Sequence, residues 1–333
     1  PGGSVETDKK SFNIELDWIE DQDINGYETL NLNNCYQDPS FLREFIFEKL
    51  SRNYIPATQV NFVKLMINDQ DWGIYPNVQQ LDKKHADQWF FDDECTRWRA
   101  EDPNSEAPGC GSPGGGGPGG GGPGGGGPNF GAGTSSLNYL GNDSINYLDH
   151  YTLKKSYVDN PWNALVEACF AIENVENFDD SYTYLNEYLD VDATLWHLAN
   201  EIIFSDDDSY INKGGMDYYV YYDKYNERIL PIEYDGNTVF GNINWSPFYN
   251  ENNSDFALLN KLLATPELRQ RYLAHFRTIL SDCFDSNYIN GLIDYYANFI
   301  NQSVFDDPQK IYTYAEFLSE VEDLKDYFSQ RNS

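Results

Sequence analysis

The residues that could do chemistry in this chain are carboxylates, and they concentrate in one stretch. From Ile202 to Gly241 the sequence reads IIFSDDDSYINKGGMDYYVYYDKYNERILPIEYDGNTVFG. An apolar run ends in Asp206, Asp207 and Asp208, and a polar, glycine-containing loop follows. A tyrosine-rich hairpin then delivers Glu233 and Asp235 just before Gly236. Like charges set together repel unless a cation or a shared proton offsets them. Magnesium is commonly held by one or two carboxylates together with substrate phosphates. Protein kinases use a catalytic-loop aspartate, an asparagine five residues later and a metal-binding aspartate after the next hairpin. Asp207 and Asn212 have that spacing, and Asp235 sits after the hairpin. The bland reading of the same residues is a helix end running into a solvated acidic turn, as an acidic chain often has.

The elements around this stretch follow from periodicity. Ser11 to Ile19 carries apolar residues at every second position (Phe12, Ile14, Leu16, Trp18), a half-buried strand, and GYETLNLNN repeats the pattern. DPSFLREFIFEKLSRNY reads as a helix capped by Asp38 or Ser40, with Phe41, Leu42, Phe45, Ile46 and Leu50 as its apolar stripe. VNFVKLMINDQDWGIYPNVQQL reads as a hairpin turning near Asn68-Asp69. From Ala107 to Gly133 repeats of four glycines and a proline offer nothing to bury, so a flexible loop is expected there. LNYLG then reads as a short strand. PWNALVEACFAIENV is a helix with Pro161 in its first turn, and VDATLWHLANEIIF is a second with Leu195, Leu198, Ala199, Ile202 and Ile203 buried. Two strands flank a polar turn at Lys224 to Glu227, where Tyr218, Tyr219, Tyr221 and Tyr222 are mainly packing. LNKLLATPELRQRYLAHFRTIL and YAEFLSEVEDLKDYFSQ are amphipathic helices of the tail. A β-rich part followed by a helix-rich part gives an α+β chain, expected to fold as two lobes.

Composition narrows the function classes. Of 333 residues 40% are hydrophobic and 16% aromatic, enough for a large core and unlike a disordered chain. The formal net charge of −32, from 54 acidic and 22 basic residues, repels phosphate backbones and anionic lipid, so nucleic-acid binding is not expected. No apolar run approaches the ~20 residues of a membrane helix. The opening PGGSVETDKKSF reads as the interior of a longer or processed polypeptide. Five cysteines make no C-x-x-C pair; Cys95 and Cys110 flank a loop that a disulfide would close in an oxidising compartment, and otherwise they are free thiols. Cys169 reads as a buried helix residue. His85, His150, His197 and His275 are scattered and read as structural. Neither a phosphate-loop motif nor a Gly-x-Ser-x-Gly elbow occurs.

Several blocks together resemble the CotH kinase-like family, named for a spore-coat protein. DKKSFNIELDW resembles its Lys-Lys-Ser strand, and LNLNNCYQDPSFLRE its Leu-x-Leu-Asn-Asn and Asp-Pro-Ser-Phe-Leu-Arg-Glu block. VKLMINDQDWGIYPNVQQLDK is similar to the strand, turn and Gly-x-Tyr segment that follows, and LNYLGND with DHYTLK to the next stretch. DYYVYYD and LPIEYDGNTVFG resemble the family's tyrosine-rich strand and its Pro-Trp-Asp-x-Asp segment, with Ile232 for Trp, Glu233 for the first Asp and Asp235 keeping the second. The likeness runs in order over residues 8 to 245, on both sides of the glycine tract, so the tract reads as an insertion in one domain of residues 8–330. The parts would be 8–106, resembling an N-lobe, the insertion 107–133, and 134–330, resembling a mainly helical C-lobe.

The resemblance implies an atypical protein-kinase fold, ATP with Mg²⁺ or Mn²⁺ as cofactors, and serine on a protein as acceptor. Asp235 would bind the metal, with Glu233 beside it. Asp208 matches the catalytic-loop aspartate by sequence and Asp207 by kinase spacing. Asn212 fits the metal-binding asparagine by spacing, whereas Asp217 occupies the family's Asn position before Tyr-Tyr. Lys10 or Lys9 would meet phosphate, oriented by Glu44. Asp217, Glu233 and Gln79 depart from the family pattern, and an upstream Arg-Gly-x-x-Ser block lies outside this sequence. Those departures motivate two alternatives, a nucleotide-binding pseudokinase and a non-enzymatic binding module. A secreted or envelope-facing location is expected.

Overall fold

A computed structural model describes residues 9–92, 94–101, 135–212 and 216–332. The glycine and proline tract at 107–133 and Cys110 lie outside the described residues.

Two antiparallel sheets organise the chain. In the first, β1 (Phe12–Glu15), β2 (Thr29–Leu32), β3 (Val60–Ile67) and β4 (Gln70–Val78) take the order β1-β2-β4-β3. The β3–β4 turn falls at Asn68 and Asp69, both with positive φ (50° and 61°), the pairing that a two-residue hairpin with right-handed strand twist needs. The strand expected over Ser11 to Ile19 stops at Glu15, because pairing with β2 ends at Thr29 and leaves Trp18 and Ile19 exposed. In the second sheet, β5 (Thr96–Ala100), β6 (Tyr151–Lys155), β7 (Tyr218–Asp223) and β8 (Arg228–Glu233) take the order β6-β5-β7-β8. Ala100 pairs with Tyr151, and the Ser135 hydroxyl donates to the Glu101 carbonyl (2.5 Å), so the two flanks of the tract meet at one sheet edge. Pro231 is accommodated because β8 is the outer strand of this sheet, where a missing amide removes no ladder bond. LNYLG is irregular and not a strand, with Leu137 in the left-handed region (φ 61°).

The helices are α1 (Arg43–Ser51), α2 (Lys83–Phe90), α3 (Pro161–Asn174), α4 (Ser181–Leu185), α5 (Val191–Phe204), α6 (Pro266–Cys283), α7 (Ser286–Asp306) and α8 (Tyr314–Arg331). The fold class is therefore mixed α+β, but the β-rich and helix-rich parts are not cleanly sequential. The strands β7 and β8 return after α3, α4 and α5 to complete the second sheet. A single buried apolar cluster runs from Phe41 to Phe328, joining α1, α3, α5, α6, α7 and α8. The tail segment expected as one helix from Leu259 is split, with a π-helical turn at Leu258–Leu262 and α6 starting at Pro266. No helix of the described residues is long and apolar enough to cross a membrane.

Candidate functional site

The site is built on α1, α5 and the turn after β8. The N-cap position of α1 is Leu42 and not the expected Asp38 or Ser40, because the chain makes a further turn before the helix, where Asp38 Oδ2 accepts from the Arg43 amide (2.9 Å). The helix buries more than its apolar stripe, since Glu44 and Glu48, one helical turn apart, are buried with Phe45, Ile46 and Phe47. α5 is capped by Asp190, whose Oδ1 accepts from the Ala193 amide (3.0 Å). It too is buried on nearly every face, including His197, Asn200 and Glu201. Its C-terminal carbonyls are satisfied by α8. Arg331 donates to the carbonyls of Ile202 (2.9 Å) and Ile203 (3.2 Å), and the Tyr327 hydroxyl to Ile203 (2.8 Å). That fixes the point where the acidic loop leaves the helix.

Beyond Ser205, in the left-handed region (φ 48°), the three aspartates part company. Asp206 is fully buried, Asp207 exposed and Asp208 half-buried. Asp206 Oδ1 accepts from the Asp208 amide (3.2 Å), and the Ser209 hydroxyl donates to the Asp206 carbonyl (2.9 Å). Asn212 closes this loop by donating to the Asp207 carbonyl (2.9 Å), and its Oδ1 accepts from the Tyr249 hydroxyl (3.0 Å). On the other strand end, Glu233 is buried and Asp235 half-buried. Asp235 accepts from the Asn237 amide (3.1 Å) and side chain (2.8 Å), which orients its carboxylate on the turn. Gly236 lets this turn touch α1: a Cβ there would lie 2.2 Å from the Phe47 ring.

Electrostatics tie these groups together. Burial, then the charge of Asp235, pushes Glu44 well above the ordinary carboxylate range. Burial likewise lifts Glu48 to about 8, against bonds from Thr58 that favour its charged form. Asp206 is raised by burial and then by Glu233, Glu201, Asp207 and Asp235. Glu233 is raised by burial and by the Glu201 carboxyl facing it. Glu201 rises to about 8 through burial. Five carboxyl groups from α1, α5, the loop after it and β8 are thus raised, each first by burial. Unsatisfied acceptors among them include Asp206 Oδ2 and Glu233 Oε2. Such a set suits a bound cation, which supplies the missing counter-charge.

The expected residues are only partly assembled. Glu233, Asp235 and Glu44 converge, with Asp207 and Asp208 on the adjoining loop. Asp217, in the left-handed region (φ 57°), lies 3.4 Å from Arg99, whose guanidinium also stacks over Tyr234. Lys9 is fully buried and paired with Asp307, with its ammonium also donating to the Ile74 carbonyl (2.7 Å). Glu44 instead accepts two bonds from Asn33 (2.8 and 3.0 Å). Lys10 is exposed. Glu48, His197, Glu201 and Asp206 were not anticipated. Their legible signal was helical spacing, since Glu44–Glu48 and His197–Glu201 are each four apart inside apolar runs.

No curated protein matches the sequence. A family model described as CotH kinase protein matches residues 2–333, essentially its whole length. The match covers both sheets and all the helices described above, and the chain belongs to the CotH kinase family.

Proposed function

We propose that this chain binds ATP with a divalent cation at the turn after β8 and transfers the γ-phosphoryl group to a serine hydroxyl of a protein. The observation that carries this reading is the convergence of Asp235 with the buried carboxylates of Glu44, Glu48, Asp206 and Glu233. Mg²⁺ or Mn²⁺, when bound, would neutralise phosphate charge there. Asp235 would hold it, with Asn212 on the facing loop as the second ligand and Asp217 set apart by its contact with Arg99. Asp208 or Asp207 would accept the proton of the attacking hydroxyl, each lying on the loop that Asn212 closes.

One observation favours a second reading, binding without transfer. The ion pair that positions phosphates in protein kinases joins a strand lysine to a helix glutamate. Here Lys9 is engaged by Asp307 and Glu44 by Asn33.

Thermal melting with ATP and Mg²⁺ or Mn²⁺ tests the site. A ligand that binds only the native state raises the midpoint. A metal-dependent rise in wild type that is absent in Asp235→Ala supports the site, and phosphoserine on an acceptor then separates kinase from pseudokinase. No rise in wild type with either metal would overturn nucleotide binding.

A further inference from the structure

α5 and the end of β8 bring three metal-ligating side chains together. His197, Glu201 and Glu233 each offer one donor atom, and these atoms lie within 4.8 Å of one another. All three side chains are buried, at 1%, 0% and 2% exposure. Nε2 of His197 stands 2.7 Å from Oε1 of Glu201, yet the two are not aligned as a hydrogen bond. Neither ring nitrogen of His197 has a hydrogen-bond partner. The Glu201 carboxyl faces that of Glu233, with the Ser209 side chain and the Ile211 backbone beside it, but in none of these contacts is a hydrogen bond well aligned. Glu233 Oε1 accepts from the amides of Tyr234 (2.9 Å) and Asp235 (3.4 Å), and its Oε2 is left to face Glu201. Two carboxyls and an imidazole buried together, with both ring nitrogens unmet, are far from what interiors tolerate without an added proton or cation.

We propose that His197, Glu201 and Glu233 bind a divalent transition-metal cation of the zinc class. One such ion takes lone pairs from all three side chains and matches the two carboxylates in charge. The donor set selects the class. Imidazole suits zinc and its first-row neighbours, whereas calcium and magnesium prefer oxygen alone. The ion would pin α5 to the end of β8 and so fix the turn that follows. The proposal shares Glu233 with the nucleotide reading but needs no phosphate, and its other two ligands lie on α5.

The test loads the full chain with Zn²⁺ after chelator treatment and counts the zinc retained through gel filtration. About one zinc per chain is expected in wild type and in Asp235→Ala, with affinity at least about tenfold weaker in Glu201→Gln and His197→Ala. Retention in Asp235→Ala separates this ion from any nucleotide-bound metal. X-ray absorption at the zinc edge of the wild type needs no variant, and it should show one imidazole with oxygen neighbours at about 2.0–2.1 Å. No retained zinc in wild type, equal retention in wild type and both ligand variants, or a shell without imidazole would each overturn the proposal.

Discussion

At the contact of Lys9 with Asp307 the chain buries one cation against one anion and leaves nothing over. The lysine also meets the Ile74 carbonyl and lies over the Tyr75 ring, 4.4 Å from its centroid. The aspartate also accepts from the amides of Ile74 (3.1 Å) and Gln309 (2.8 Å). Gly73, at φ 87°, makes room for it, since a Cβ there would lie 2.1 Å from Asp307 Cγ. Between α5 and β8 the chain buries two carboxylates and an imidazole and leaves their lone pairs unmet. The first arrangement is complete within the described residues and holds the edge of β4 to the end of α7. The second is complete only with a proton or a cation added. Buried charge that is satisfied internally is architecture, and buried charge that is not satisfied marks a place for a ligand.

Asp307→Ala is the harshest break of this comparison. It leaves a buried ammonium without its anion, and losing one partner of a buried pair costs about 3–5 kcal/mol. Urea unfolding at neutral pH measures it. A loss under about 1 kcal/mol would mean that the Ile74 carbonyl alone suffices, and the contrast between the two regions would fail.

The acidic centre should respond to pH. Glu48 and Glu201 hold protons up to about 8 in the folded chain, against an ordinary value of 4.5. Between those values the native state binds more protons than the unfolded state, so stability falls as pH rises. Each such proton gives a slope of about 1.4 kcal/mol per pH unit. Buried neutral His85 and His197, lowered to about 4 and 3, oppose this only below the ordinary histidine value of 6.5. From about pH 6.5 to 8, in chelator, the chain should therefore lose about 2–4 kcal/mol. Glu201→Gln should remove about one proton's worth of that slope, and added Zn²⁺ should flatten it in wild type. A stability that rises over this window would show that the carboxylates are ionised and already matched.

Gly236→Ala sharpens the geometry of the same centre. The new methyl would meet the Phe47 ring, and overpacking of this kind costs about 1–3 kcal/mol. Because Phe47 lies on α1 with Glu44 and Glu48, the push should also separate their carboxyls from Asp235. Chemical denaturation reads the first effect. The second should appear as a smaller rise of the melting midpoint with ATP and Mg²⁺ than in wild type.

How far the sequence could disclose this follows from which signals are local. The Asn68-Asp69 turn, the start of α3 at Pro161 and the β7–β8 hairpin depend on neighbours a few residues away, and they were legible. The truncated β1 was not, since its length is set by where β2 stops. Motif likeness put Glu233 and Asp235 together. It did not reveal that Lys9 would be engaged by a residue 298 positions on. Nor did it select Asp206 among three consecutive aspartates, because which one turns inward depends on the left-handed Ser205 ending α5. His197 read as structural or surface because no ligand spacing joins the four histidines, and Glu201 lay unmarked within an apolar run. Only the packing of α6, β8 and α8 around α5 places both inside.

The smallest effect supplies the control that the contrast needs. Lys83 and Glu28 form an ion pair at 2.7 Å, with the lysine side chain half exposed and the glutamate one-third exposed. Water already solvates both partners, and exposed pairs of this kind contribute about 0–1 kcal/mol. Glu28→Gln should therefore change urea stability by less than about 1 kcal/mol, and about 1 M salt should erase even that by screening. The same salt should leave the cost of Asp307→Ala nearly unchanged, because screening ions do not enter that contact. Should Glu28→Gln cost as much as Asp307→Ala, burial would not be what separates these pairs, and the inference from unmet buried charge to a ligand site would lose its footing. Should the two differ as expected, the chain's own ion pairs set the scale on which the unmet lone pairs of His197, Glu201 and Glu233 stand out.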